Sequence, residues 1–148
     1  MEIAIRRSQS IDIDWLLKEL AAFSKFIQTR HCLYGEEEYS RKGLQLLIDE
    51  HVLLIAEKDF IPIGFVAGYF TPHLFNPKIK IICELFFWVT PNHRRSRAGS
   101  LLMDAYIAEG MKKAQSITFS LNRFTRMNER SLLRRGFSHH ESTFLLET

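Results

Sequence analysis

The chain has 148 residues, 46% of them apolar and 12% aromatic, which suffices for one domain around one core and excludes a disordered composition. A net charge of +3 and a pI near 9.0 are too mild for a dedicated nucleic-acid binder, so what matters is where the cations cluster. Cys32 and Cys83 stand far apart in no CxxC pair, and the six histidines show no HxxxH or HExxH spacing, so neither a disulfide framework nor a metal site is expected.

Residues 2–6 alternate polar and apolar, the mark of a short first strand. Ser10 or Asp12 can cap the helix that follows, in which Leu16, Leu20, Phe23 and Ile27 share one face. Gly35 breaks the pattern, and residues 36–50 read as a second helix with Leu44, Leu47 and Ile48 inward and Gly43 weakening it. Residues 52–57 and 63–70 form an antiparallel hairpin about Lys58-Asp59, and Pro72 and Pro77 bound a loop. Residues 79–89 make a long strand, apolar on both faces from Leu85 to Val89 and therefore central; Pro91 ends it. Residues 97–113 are helical and 117–121 a strand. A shorter helix spans 125–135, Gly136 is its left-handed cap, and a last strand pair runs from Phe137 to Glu147.

This order predicts one α+β domain over residues 1–148, a mixed, mostly antiparallel single sheet with helices on both faces. The first thirty residues lack the order of a signal peptide and the apolar runs are too short to span a bilayer, so a cytoplasmic protein with no membrane partner is expected.

The most informative stretch joins the central strand to the next helix. Arg94, Arg95 and Arg97 fall within four positions, just where unpaired backbone N–H groups and the positive end of a helix dipole converge. Gly99, lacking a Cβ, lets the backbone come close to a ligand. The combination is an anion site suited to phosphate or pyrophosphate, yet GxxxxGK[ST] and GxGxxG are both absent.

Val89-x-Pro91-x-x-Arg94-x-x-Arg97-x-Gly99-x-Leu101-Leu102 resembles the V-x-P-x-x-[RQ]-x-x-G-x-G/A-x-x-L signature of the GNAT family of N-acetyltransferases, and Arg135-Gly136-Phe137 is similar to that family's closing Gly-Phe. The element order agrees over residues 2–147, and compact members, phage-encoded ones among them, look similar in this turn. The resemblance implies acetyl-coenzyme A as cosubstrate, held by Trp88, Val89, Thr90, Arg94, Arg95, Ser96, Arg97, Ala98, Gly99 and Ser100, with a backbone N–H at Trp88, or at Val89 and Thr90 next along, facing the thioester oxygen. It implies an amine acceptor, protein or small molecule, and a homodimer is common among members. Two departures stand out: Arg97 replaces the first glycine, and Leu132 occupies the position of a tyrosine that donates a proton.

Acetyl transfer to an alkyl ammonium, with an ordinary pKa of about 10.4, needs a base. Glu84, set among Ile81, Ile82, Cys83, Leu85 and Phe86, is the candidate, since burial raises a carboxyl pKa and family members use an acid at this position. With leucine at 132, the leaving thiolate takes its proton from water or Tyr106, a residue that equally suits the core. Arg123, Arg126, Arg130 and Arg134 recur along the last helix and its approach, a solvated face or a site for ribose phosphate or nucleic acid. Asn122 and Asn128 are candidates for hydrogen bonds near the cosubstrate, and residues 70–75 for lining an acceptor pocket. Two other classes remain open at this point: a coenzyme A-binding domain of this fold without turnover, and, less favoured, a nucleic-acid-binding module.

Overall fold

The computed structural model describes residues 2–27, 35–121 and 127–148. Cys32, Tyr34, Asn122, Arg123 and Arg126 lie outside these residues.

Five strands form one sheet in sequence order. β1 (Ile3–Arg7), β2 (Val52–Lys58), β3 (Ile61–His73) and β4 (Asn76–Val89) pair antiparallel in succession, and β5 (Ser116–Thr118) joins β4 in parallel. α1 (Ile13–Ile27) and α2 (Glu37–Glu50) cover one face; α3 (Ala98–Met111) covers the other, and α4 (Glu129–Arg134) is fastened to it. Strand alternation builds the two cores: Leu53, Ile55, Phe65 and Trp88 meet Leu16, Leu20 and Leu47, whereas Leu54, Ala56, Val66 and Val89 meet Leu102 and Tyr106. β2, buried on both sides, therefore reads as one apolar run.

Local chemistry fixes the connections. Asp12 closes a short 3₁₀ turn ahead of α1 rather than capping the helix: its carboxylate accepts the Gln9 N–H at 2.7 Å and two N–H groups of Arg6 at 2.9 Å. Arg6 also reaches Glu57 at 2.8 Å, tying β1, β2 and the entry to α1. The hairpin between β2 and β3 turns on Asp59 and Phe60, with φ of 53° and 65°. Positive φ at both central positions matches the sheet's twist, although neither residue is the glycine or asparagine that adopts it easily.

Three expectations need correction. Pro72 and Pro77 do not bound a loop; both lie inside strands, Pro72 beside a register irregularity that absorbs its missing N–H, and only Leu74 and Phe75 make the turn. The strand expected at 117–121 is three residues long and stops at Thr118. The final strand pair does not form: residues 137–148 carry no strand, and Phe144, Leu145 and Leu146 are exposed. Three consecutive apolar side chains do not supply the alternation that fits one face, and β5 offers only a short edge for pairing.

Candidate active site

The short reach of β5 creates the site. It pairs with β4 only at Ile81, Ile82 and Cys83, so among the described residues no strand lies beside β4 from 84 to 89 on that flank. At the same point β4 bulges. Ala67 pairs with Phe86 but Gly68 with Glu84, which leaves Leu85 as an extra residue. The bulge resets the alternation, so Ile82 joins the α3-side core although Trp88 and Phe86 belong to the α1 side. Glu84 shares the parity of Ile82 and lies beside Tyr106, at the mouth of the open edge.

Burial pushes the Glu84 carboxyl up to about 7, against a backbone hydrogen bond from Ser120 that pulls it down. A carboxylate so poised is half-ionised near neutrality, as a general base requires. Tyr106 beside it is fully buried and donates its hydroxyl to the Thr118 carbonyl at 3.0 Å. Burial, then the charges of Glu84 and Cys83, hold its phenol well above the ordinary value. Phe119 closes this wall, its ring 5.2 Å from Phe87 and 6.0 Å from Tyr106.

The ladder sets which amides face the open edge. Thr90 donates its N–H to Ile63 at 2.9 Å, so by antiparallel alternation Trp88 also turns its N–H to β3, toward Phe65. The N–H groups of Phe87 and Val89 are the ones directed to the open flank. Trp88 and Thr90 thus turn their N–H groups to β3, and of the amides on the open flank that of Phe87 was not among the residues expected from the sequence. Trp88 acts through its side chain, donating Nε1–H to Glu19 at 2.8 Å and packing against Phe23 and Phe26.

The turn after β4 is more ordered than the sequence suggests. Pro91–His93 form a 3₁₀ turn, His93 contacts Thr90 Oγ1 at 2.9 Å, and Ser96 Oγ donates to the His93 carbonyl at 2.6 Å and accepts the Ala98 N–H at 3.2 Å. Ala98 is buried, while Arg95, Ser96, Arg97 and Ser100 are exposed. Gly99 and Ser100 open α3 with amides that no intrahelical carbonyl reaches. Arg94 does not join its neighbours: its guanidinium lies over the rings of Trp88 and Phe26, at 4.6 and 5.0 Å, and its Nε donates to the Val89 carbonyl at 3.1 Å. A Cβ at Gly99 would lie 3.4 Å from the Phe87 ring, an ordinary contact that shows how closely α3 passes β4 there.

Arg135, which the sequence reading used only as part of the closing motif, bridges α4 to α3. Its guanidinium donates to Asp104 at 2.7 Å, to Ser100 Oγ at 2.8 Å and to Ser131 Oγ at 2.7 Å. Leu132 is buried in this joint. Arg130 and Arg134 line an open pocket of about 370 Å³ with Asn128 and Leu133. Asn128 caps α4, its side chain accepting the Ser131 N–H at 3.3 Å.

An open strand edge with inward amides, a helix start with free N–H groups and two exposed arginines together fit an elongated ligand with a diphosphate. No helix among the described residues is long and apolar enough to cross a membrane. Comparison with solved structures finds the same fold in a ribosomal-protein-alanine N-acetyltransferase from Brucella melitensis biovar Abortus 2308, with a TM-score of 0.77 at 15% identity over 100% of this chain and 99% of that one. A predicted acetyltransferase from Clostridium acetobutylicum, solved with acetyl-CoA, gives 0.73 at 15% identity over 99% and 96%. An aminoglycoside acetyltransferase from an uncultured soil metagenomic sample, in complex with sisomicin, gives 0.70 at 13% identity over 99% and 95%. No curated protein matches the chain. The family model for the GNAT acetyltransferases matches residues 17–137, most of the chain, and the protein belongs to that family of acyltransferases.

Proposed function

We propose that the protein transfers an acetyl group from acetyl-coenzyme A directly to an amine, with Glu84 as general base. The observation that carries this reading is the placement of Glu84: a carboxyl raised to about 7 where, among the described residues, β4 runs on past the end of β5. The cosubstrate supplies the activated acetyl group; the chain supplies position and charge. Gly99 and Ser100 amides with Arg95 and Arg97 hold the diphosphate, and Val89 and Phe87 amides line the arm that reaches toward Glu84. Negative charge building on the thioester oxygen is met by the Phe87 N–H. Glu84, directly or through one water, takes a proton from the acceptor ammonium, the neutral amine bonds to the acetyl carbon, and the carbon–sulfur bond breaks. The attacking nitrogen sheds its second proton as the amide forms, and the thiolate, with an ordinary thiol pKa of about 8.5, takes up that proton through water. Tyr106, whose hydroxyl is bonded to Thr118, serves as the wall that desolvates Glu84.

Thiol release from acetyl-coenzyme A over a panel of amines, wild type against Glu84→Gln, tests the proposal. The expected result is amine-dependent release that falls at least a hundredfold in the variant; unchanged turnover in the variant would remove Glu84 from the reaction.

A further inference from the structure

The stripe that α1 lays on the sheet carries Trp15, Glu19, Phe23 and Phe26, at spacings of four, four and three. The three aromatic residues pack on the core of that face. A carboxylate among them loses water for no gain unless something binds it. No ion pair among the described residues engages Glu19. Its partner is neutral: Oε2 accepts the Nε1–H of Trp88 at 2.8 Å. Trp88 is 5% exposed and its side chain has this one polar atom, so the contact fixes both where the indole stands and how it is turned.

The ring held in this way is a platform for Arg94. The guanidinium lies 4.6 Å from its centre, with the Phe26 ring 5.0 Å away on the same group. From that seat Arg94 Nε donates to the Val89 carbonyl at 3.1 Å, while the N–H of the same peptide, that of Thr90, donates to Ile63 at 2.9 Å. The Val89–Thr90 peptide is thereby held at both ends, at the mouth of the open flank. Its carbonyl, a negative dipole end beside the place assigned to the diphosphate, is covered by a cation, and Val89 keeps its own amide turned to the flank. Each link depends on the one before it. A tilted indole would offer Arg94 its positive edge in place of its negative face.

We infer that Glu19 is a positioning residue for the cosubstrate, acting through Trp88 on Arg94 and through Arg94 on the Val89–Thr90 peptide. The inference rests on the acetyl-transfer reading above and adds to it a residue of α1, far in sequence from the turn that it sets. Glu19 touches no reacting atom, so its loss shows in cosubstrate affinity and leaves the chemical step alone.

Calorimetry of acetyl-coenzyme A, with steady-state kinetics on the most active amine of the panel, compares the wild type with Glu19→Leu and Glu19→Gln, each made also in Arg94→Ala. Leucine suits the apolar stripe of α1, so Glu19→Leu retains the fold. Its Kd and KM for acetyl-coenzyme A are expected to rise tenfold or more while kcat stays within threefold. Glu19→Gln is expected to stay within threefold in all three, because its amide oxygen still accepts the indole N–H. In Arg94→Ala the Glu19→Leu change should add less than twofold, which a general loosening of α1 would not produce. Unchanged affinity in Glu19→Leu, a glutamine variant as impaired as the leucine one, or a further tenfold loss on top of Arg94→Ala overturns the inference and leaves acetyl transfer standing. Failure of the wild type to bind acetyl-coenzyme A overturns both.

Discussion

Gly68 and Tyr106 fit each other across the sheet: a Cβ on the glycine would lie 2.6 Å from the tyrosine Cε2 and 3.1 Å from its hydroxyl. The missing side chain in β3 lets the phenol lie against the sheet, reach Thr118 and wall off Glu84, which pairs with Gly68 in the ladder. Gly68→Ala is expected to lose about 1–3 kcal/mol through overpacking. The same variant should shift the pH midpoint of turnover, because displacing Tyr106 resolvates the carboxyl. Denaturant unfolding and a pH–rate profile check both; an alanine variant as stable as the wild type would contradict the contact.

Tyr106→Phe separates packing from proton donation. Losing the hydroxyl leaves the Thr118 carbonyl without its donor, at a cost of about 1–3 kcal/mol. Turnover should stay within a few-fold of the wild type, since the phenol's proton is committed to that carbonyl. A fall of a hundredfold or more in kcat, at saturating amine, would make Tyr106 the proton donor after all.

The raised Glu84 carboxyl carries a stability signature alongside a kinetic one. An acid of ordinary pKa 4.5 held near 7 keeps its proton in the folded state while the unfolded chain loses it. Folding stability from this group therefore declines as pH rises from about 4.5 to about 7, and each pK unit corresponds to about 1.4 kcal/mol. Glu84→Gln removes that decline. Its melting temperature should exceed the wild type's more at pH 8 than at pH 5, while the rise in kcat/KM through about pH 7 disappears. A pH-independent difference in melting temperature would mean that the carboxyl is not perturbed.

Phe60 offers a test of the hairpin alone. It is 93% exposed with a φ of 65°, so its side chain contributes little burial while its backbone adopts a conformation that costs a non-glycine residue about 1–2 kcal/mol. Phe60→Gly is expected to raise stability by about 1 kcal/mol, with turnover unaffected, as read by thermal unfolding and thiol release.

The sequence announced some of these features and concealed others for physical reasons. Pro91 and the three arginines made the end of β4 and the start of α3 legible, because a proline stops a strand and a helix start attracts polar turn residues. The bulge was hidden: Leu85 through Val89 are all apolar, so no alternation betrays where the parity resets, and the glycines at 64 and 68 in the partner strand were the available hint. Phe87 was missed as an amide donor for the same reason, its direction being a property of register. The stacking of Arg94 was hidden because its partner Phe26 lies far back in the chain. The nearness of Gly99 to the Phe87 ring was hidden too, since only the fold brings them together. The final strands were over-read from β-forming residues that lack a neighbouring edge long enough to pair with them.

Isothermal titration of acetyl-coenzyme A into the wild type, Arg97→Glu and Arg94→Glu bears most directly on the cosubstrate site. Arg97 faces solvent at the start of α3, whereas Arg94 is held between aromatic rings and the Val89 carbonyl. The account predicts one site per chain in the wild type, a loss of tenfold or more in affinity for Arg97→Glu that shrinks with added salt, and for Arg94→Glu a loss accompanied by a lower melting temperature. Equal affinity in the wild type and Arg97→Glu, or no binding to the wild type, would contradict it.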